Sequence, residues 1–127
     1  MSSSSSALRI LLIEDNRDFV YLISTLFNHI GHESIPAYDG EEGIHKAKEF
    51  KPDVIFCDIG LPKIDGFEVA KRIREDALLK DVYMVALTGY AGQCDLVKAK
   101  ESGFDALLAK PVSMEELKQV LEKVLDK

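Results

Sequence analysis

The segment at positions 54–57 reads VIFC, an uninterrupted apolar run between Pro52-Asp53 and Gly60. A strand with one solvated face alternates apolar and polar residues, whereas a strand buried on both faces is apolar throughout. The run therefore predicts a central strand of a parallel sheet. Asp58 follows at its carboxyl end, which is the edge where ligands bind in open α/β sheets. Taken alone, an aspartate in this place is more often a turn residue or a helix cap.

Strand and helix patterns alternate along the chain. Strands are predicted at 8–13, 32–37, 54–57, 82–87 and 104–109, and helices at 17–30, 40–50, 66–76, 91–102 and 114–125. Pro36 predicts that the second strand lies at a sheet edge. Because parallel strands need right-handed helical crossovers, the pattern predicts an α/β fold, a flavodoxin-like (βα)5 doubly wound sandwich with strand order 2-1-3-4-5.

Local signals mark several helix ends. Asn16 is a predicted N-cap of the first helix and Gly31 its stop, while Ser113 and Glu116 have the spacing of a capping box. The fourth helix has only a thin stripe through Cys94, Val97 and Glu101, so we expect it to be loosely held.

Length and composition are typical of one globular domain. The chain has 127 residues, of which 46% are hydrophobic and 30% charged. Residues 7–127 are predicted to form the domain, and the serine-rich tail at 1–6 is predicted to be disordered. No apolar segment approaches the length of a membrane span and no leader pattern is present, so we expect a cytoplasmic protein without membrane contact.

Charge and cysteine content exclude other classes. A net charge of −6 argues against direct nucleic-acid binding, and the basic residues at 71–74 are interpreted as a solvated helix face because acidic neighbours dilute them. Cys57 and Cys94 do not form a CxxC pair and are expected to be reduced thiols without catalytic function.

The ends of four parallel strands should meet at one rim. They carry Glu14, Asp15, Asp58, Thr88 and Lys110. Carboxylates crowded to roughly 5 Å would repel by about 3 kcal/mol per pair at an effective dielectric constant of 20. A divalent cation would compensate, and Mg²⁺ suits Asp15 and Asp58 as direct ligands with Glu14 behind a water.

This set is suited to phosphoryl transfer onto a carboxylate. Asp58 would be the nucleophile, Lys110 and Thr88 would hold the phosphoryl oxygens, and Gly89 would leave room for the incoming group. The plain alternative is that Asp15 and Asp58 cap helices and Lys110 only pairs with them. That alternative does not explain why these residue types occur at the ends of four different strands.

The motifs together resemble the receiver domains of two-component response regulators. They are Glu14-Asp15, Asp58 followed by Leu61-Pro62 and Asp65-Gly66, Thr88-Gly89, and Lys110-Pro111. In residues 86–90 and 103–112 the resemblance is closest to receivers attached to hybrid sensor histidine kinases.

The resemblance implies a specific chemistry. Asp58 would accept phosphate from a phosphohistidine on a sensor histidine kinase or a histidine phosphotransfer protein, and the domain would slowly dephosphorylate itself. Mg²⁺ would be bound by Glu14, Asp15, Asp58 and the backbone carbonyl of Gly60.

The resemblance also assigns further roles at the rim. Thr88, Gly89 and Lys110 would bind the phosphoryl group, and the bond before Pro111 would be cis. Leu107 departs from the family, which commonly has a switch aromatic three residues before the lysine, so the resemblance does not extend to the usual aromatic readout.

Other interpretations remain open. Tyr90 is an aromatic that would modulate access or readout, or is simply a loop tyrosine. Phosphorylation-independent interaction modules with this fold typically lack one of the acidic pair, the aspartate or the lysine, all of which are retained here. A nucleotide- or flavin-binding domain is disfavoured because Glu14-Asp15-Asn16 replaces a glycine-rich loop after the first strand.

Overall fold

The computed structural model describes residues 7–89 and 93–126, and of residues 93–95 only the main chain. In these ranges strands and helices alternate: β1 (Arg9–Ile13), α1 (Arg17–His29), β2 (Glu33–Ala37), α2 (Gly40–Phe50), β3 (Val54–Asp58), α3 (Gly66–Glu75), β4 (Tyr83–Thr88), α4 (Gln93–Ser102), β5 (Ala106–Ala109) and α5 (Met114–Leu125). The predictions for the tail at 1–6 and for Tyr90 lie outside the described residues.

The strands form one parallel sheet in the order β2-β1-β3-β4-β5. The α/β fold and the strand order are therefore as the sequence predicts. All five residues of β3 are buried, which explains its uninterrupted apolar run. Strand β2, which contains Pro36, lies at the edge, where a missing N–H is tolerated.

Each face of the sheet has its own hydrophobic core. Leu11 and Ile13 of β1 pack with α2, α3 and α4, whereas Ile10 and Leu12 pack with α1 and α5, because successive strand side chains point to opposite faces. No helix in the described ranges is long and apolar enough to cross a membrane.

Three of the predicted helix signals are confirmed. The Asn16 side chain accepts a hydrogen bond from the Phe19 N–H, and Gly31 follows α1 with a φ of +94°. Ser113 and Glu116 form the complete capping box at the start of α5. Because these bonds satisfy main-chain groups that a helix end leaves unpaired, short polar residues define the helix ends without help from the core.

The stripe predicted for α4 is wrong at Val97 and Glu101, which are both exposed, whereas the side chain of Cys94 lies outside the described residues. Val97 is 56% exposed, and among residues 96–102, whose side chains the structure describes, the buried positions are Ala99 and Ser102. The helix therefore packs through small side chains. At its end the Phe104 N–H donates to the Ala99 carbonyl, so β5 begins at Ala106 rather than at 104.

The solvated face predicted for residues 71–74 is wrong for Arg74. Its guanidinium donates to the carbonyl oxygens of Lys80, Val82 and Gly103 and to Asp105 Oδ2, at 2.6–2.9 Å. The end of α3 is thereby tied to the residues before β4 and β5. The sequence signal was misleading because the acceptors are main-chain carbonyls, which charge patterns do not reveal.

His32, just before β2, is hydrogen-bonded to Leu8, just before β1. This contact is expected to make the free energy of unfolding depend on pH. The Nδ1 of His32 accepts a hydrogen bond from the Leu8 N–H at 2.9 Å, and burial lowers the pKa of His32. Because the unfolded chain then binds the proton more tightly, the stabilisation is fully present above the unfolded pKa of about 6.5. It is lost as the pH falls below that value towards the lowered folded pKa.

We therefore expect the free energy of unfolding, measured by urea titration, to fall more steeply below about pH 6.5 in the wild type than in His32→Asn. Asparagine offers an acceptor oxygen but does not titrate. If the free energy of unfolding falls equally steeply with decreasing pH in the two proteins, His32 contributes nothing to the pH dependence of stability.

Candidate functional site

Four strands deliver polar residues to one rim of the sheet. Glu14 and Asp15 follow β1, Asp58 ends β3, Thr88 ends β4 and Lys110 follows β5. Asp58 pairs with Leu87, and Thr88 pairs with Ala109. Since the strands are parallel, their carboxyl ends lie at the same edge. The structure thus brings the predicted set together.

The carboxylates form a tight cluster. Glu14, Asp15 and Asp58 each offer one oxygen, and these atoms all lie within 4.8 Å of one another. Glu14 is 1% exposed and Asp58 is also buried, whereas Asp15 is exposed. The cluster is therefore walled by protein on the side of Glu14 and open to solvent at Asp15.

Lys110 supplies positive charge to this cluster. Its Nζ lies 2.6 Å from Glu14 Oε1 and 3.5 Å from Asp58 Oδ2. Burial disfavours the charged amine, but the hydrogen bond to Glu14 and the charges of Asp58 and Glu14 outweigh burial. The pKa of Lys110 is therefore raised, and Lys110 remains a cation.

Glu14 is the most enclosed of the three carboxyl groups. Its Oε2 accepts a hydrogen bond from the Asn16 N–H at 3.0 Å, and its Oε1 accepts from Lys110. Burial raises the pKa of Glu14, the bonds from Lys110 and Asn16 lower it, and the nearby charge of Asp58 raises it. The net result is a pKa above the usual value.

The helix-capping alternative for the aspartates is wrong. Asn16 caps α1, and Asp65, which accepts from the Glu68 N–H at 3.0 Å, caps α3. Asp58 instead accepts from the Gly60 N–H at its Oδ1, at 2.9 Å. This bond orients the Asp58 carboxylate and leaves Oδ2 facing Lys110.

Two glycines shape the approach to Asp58. A Cβ on Gly66 would lie 2.6 Å from the Asp58 carbonyl oxygen, so only glycine lets α3 begin this close to the end of β3. A Cβ on Gly89 would meet no atom of the described residues within 4 Å. Apart from its chain neighbours, no described residue therefore crowds Gly89, which follows the buried Thr88.

The loop after β5 is held against β4. The Lys110 N–H donates to the Thr88 carbonyl at 2.8 Å, and the peptide bond between Lys110 and Pro111 is cis. Leu107 is partly buried and packs with the core cluster that contains Ala99 and Phe104. An aliphatic side chain thus occupies the place where the resemblance expects an aromatic one.

Phe19 lies at the site but is not among the residues predicted from the sequence. Phe19, in the first turn of α1, places its ring centroid 4.7 Å from Lys110 Nζ. Its position three residues after the Asn16 cap signals that it lies near the rim. Nothing in the sequence, however, indicates which cation lies over the ring.

Cys57 lies next to Asp58 in β3 and is enclosed in the sheet. It is a free, fully buried thiol, and burial followed by the charges of Asp58, Glu14 and Asp65 raises its pKa well above the usual range. A buried thiol that is held protonated in this way is a poor nucleophile. The side chain of Cys94 lies outside the described residues.

Fold and site together define a class of flavodoxin-like α/β proteins with an acidic cluster and a lysine at the carboxyl rim of the sheet. The family model of the response regulator receiver domain matches residues 10–122. The chain belongs to the response regulator receiver domain family.

Two curated relatives illustrate the family. The chain is 36% identical over 117 residues to the alkaline phosphatase synthesis transcriptional regulatory protein PhoP of Bacillus subtilis, a match covering 92% of this chain and 48% of PhoP. The chain thus spans about half the length of that relative. It is 30% identical over 116 residues to the polar-differentiation response regulator DivK of Brucella anthropi, covering 91% of this chain and 94% of DivK.

Solved structures share the fold. A putative response regulator from Chloroflexus aurantiacus superposes with a TM-score of 0.90 at 27% identity, covering 95% of this chain and 99% of that one. The receiver domain of the sensor histidine kinase PA1611 from Pseudomonas aeruginosa gives 0.88 at 29% identity, with the same coverage. That structure has a magnesium ion coordinated in its active-site cleft.

Proposed function

We propose that Asp58 accepts a phosphoryl group from a phosphohistidine on a sensor histidine kinase or a histidine phosphotransfer protein in a cytoplasmic phosphorelay. The observation that carries this proposal is the cluster of three carboxylates within 4.8 Å, with Lys110 Nζ 3.5 Å from Asp58 Oδ2. A buried carboxylate beside a cation is suited to this reaction, because the carboxylate can attack phosphorus while the cation stabilises the negative charge on the phosphoryl oxygens.

The donor set fits Mg²⁺. Glu14, Asp15, Asp58 and the main-chain carbonyl of Gly60 would hold the ion, and all of these are oxygen donors. Three carboxylates this close repel one another, and the single positive charge of Lys110 does not balance them. The open side at Asp15 leaves space for the waters that Mg²⁺ retains. When bound, the ion would shield the negative oxygens of the phosphoryl group.

The chain's own groups account for the transfer. A carboxylate oxygen of Asp58 attacks phosphorus, the phosphorus–nitrogen bond breaks, and its electron pair returns to the imidazole of the donor. The product is an aspartyl phosphate. Lys110 and Thr88 donate to the phosphoryl oxygens, and the space at Gly89 admits the donor. Water that reaches the same phosphorus would reverse the modification.

The signal would be a local change of charge. The attached phosphoryl group carries a charge of about −1.5 to −2 beside Lys110 and Thr88, and it replaces the single negative charge of the Asp58 carboxylate. A shift of Thr88 would act on β4 and on α4, whose outer face exposes Leu96 and Val97. With Leu107 in β5, this readout would proceed without an inward-turning aromatic at that position.

The direct test is phosphorylation by a small donor. The wild type is incubated with acetyl phosphate and Mg²⁺, and intact mass is followed over time. We expect the gain of one phosphoryl group, slowed on the order of 100-fold when EDTA removes the metal, because a bound ion supplies several kcal/mol of charge stabilisation.

Two results would contradict the proposal. A wild type that gains no phosphoryl mass under these conditions would instead favour an interaction module that works without phosphorylation. Labelling that is equally fast in EDTA would remove the metal from the mechanism.

A further inference from the structure

We propose that Phe19 is a positioning residue for Lys110: its ring holds the ammonium group at the site, within reach of Asp58, ready for the phosphoryl oxygens. The observation is the contact of 4.7 Å between Lys110 Nζ and the Phe19 ring centroid. This inference rests on the proposed function, because positioning matters only if Asp58 accepts phosphate.

The ring is set in place by the loop that carries the acidic pair. The Phe19 N–H donates to Asn16 Oδ1 at 3.1 Å, and the Asn16 N–H donates to Glu14 Oε2 at 3.0 Å. Phe19 also packs against the hydrophobic core on the face of the sheet that α1 and α5 cover. Glu14, Asn16, Phe19 and Lys110 therefore form a closed circuit of contacts, in which the helix cap orients the aromatic residue.

Lys110 needs such a contact because its stem is flexible and its partners compete. Its side chain is 23% exposed, and Nζ is nearer to Glu14, at 2.6 Å, than to Asp58, at 3.5 Å. A lysine ammonium is a compact charge on four rotatable bonds, so a carboxylate alone does not define its direction. The ring attracts the cation through its negative face and restricts it to one side.

The ring also differs in kind from the two carboxylates. Glu14 and Asp58 belong to the oxygen set that fits Mg²⁺, whereas the face of Phe19 has no donor atom for a metal. Lys110 would keep its contact with Phe19 when the carboxylates engage the ion. The aromatic contact would thus preserve the position of Lys110 in the state that transfers phosphate.

Replacement of the ring by an aliphatic side chain tests this role. In Phe19→Leu the acetyl phosphate reaction with Mg²⁺ is expected to slow about fivefold, a size typical of a partly desolvated cation–π contact. Phe19→Tyr retains the ring and is expected to restore the rate to within about twofold. The matched control is Phe50→Leu. The Arg9 guanidinium lies 4.0 Å from the Phe50 ring, so this variant also loses a cation–π contact, but at the amino ends of the strands and away from Asp58. It is expected to leave the rate unchanged.

A second series separates electrostatics from packing. Site-specific replacement of Phe19 by mono-, di- and trifluorophenylalanine withdraws charge from the ring face in steps and hardly alters its shape. We expect the logarithm of the phosphorylation rate to fall steadily along the series. In the metal-free wild type, the ring should also shift the NMR signals of the Lys110 ε-protons upfield, and Phe19→Leu should abolish that shift.

These experiments distinguish failure of the positioning role of Phe19 from failure of the proposed function. If the wild type is labelled but the fluorinated proteins react at the wild-type rate, the positioning proposal is overturned and the proposed function stands. If the wild type is not labelled, the proposed function fails, and the positioning role falls with it. An absent upfield shift in metal-free protein overturns the contact itself, whatever the activity. If Phe19→Leu does not fold, the fluorinated series alone decides.

Discussion

Asp58→Asn is expected to abolish the gain of phosphoryl mass, lowering the rate with acetyl phosphate and Mg²⁺ by at least about 1000-fold, the scale on which loss of a nucleophile acts. The asparagine amide is nearly isosteric with the carboxylate. Its oxygen can still accept the hydrogen bond that the Gly60 N–H donates to Asp58 Oδ1 in the wild type. It has no charged oxygen to attack phosphorus. The measurement is intact mass against time.

The same substitution is not expected to unfold the protein. It removes one negative charge from a cluster in which the charge of Asp58 raises the pKa of Glu14. We therefore expect the free energy of unfolding to stay the same or rise. The matched control is Asp39→Asn: Asp39 follows β2 at the same edge of the sheet and caps α2, a role that asparagine performs equally well. It should keep the wild-type labelling rate.

Peptide mapping makes this prediction decisive. In the wild type the phosphoryl group should be found on the peptide that contains Asp58. If Asp58→Asn is labelled as fast as the wild type, another residue is the acceptor. A loss of labelling that accompanies a loss of folded structure would be inconsistent with the expected stability.

Arg74→Met is expected to lower the free energy of unfolding by about 3 kcal/mol, in the range of several charge-assisted hydrogen bonds lost together. The Arg74 side chain is 22% exposed and bonds three main-chain carbonyls as well as Asp105. Methionine fills similar space but leaves those acceptors without their donor. Urea titration at neutral pH measures the difference.

Arg72→Met is the matched control, because Arg72 lies two residues away on the same helix. It pairs with Glu68 one turn earlier at 3.0 Å, and both side chains are 45% exposed. Such exposed pairs contribute only about 0.3–0.5 kcal/mol. Equal losses in the two variants would show that the carbonyl contacts of Arg74 contribute nothing beyond a surface charge.

The fold could be predicted from the sequence because the apolar runs, the helix caps and the turn residues all indicate the same order of strands and helices. The continuous apolar run at 54–57 predicted β3 as a strand buried on both faces, and Pro36 predicted the edge position of β2. Helix caps such as Asn16 and Ser113 act locally, so they could be identified without the tertiary structure.

The meeting of Glu14, Asp15, Asp58, Thr88 and Lys110 could also be predicted, since parallel strands end at a common edge. What could not be predicted is which partners each side chain selects there. Lys110 bonds Glu14 more closely than Asp58 and lies beside Phe19. These choices depend on distances of a few ångströms between segments that are far apart in the chain.

The sequence by itself determined the parallel sheet, its strand order and the residue types at its rim, because apolar periodicity and turn chemistry are written in neighbouring residues. Only the tertiary structure decided that Arg74 turns to main-chain carbonyls, that Val97 faces outward and that the ring of Phe19 meets Lys110. The physical reason is that these contacts join separate elements. Their energies therefore depend on how the helices pack on the sheet.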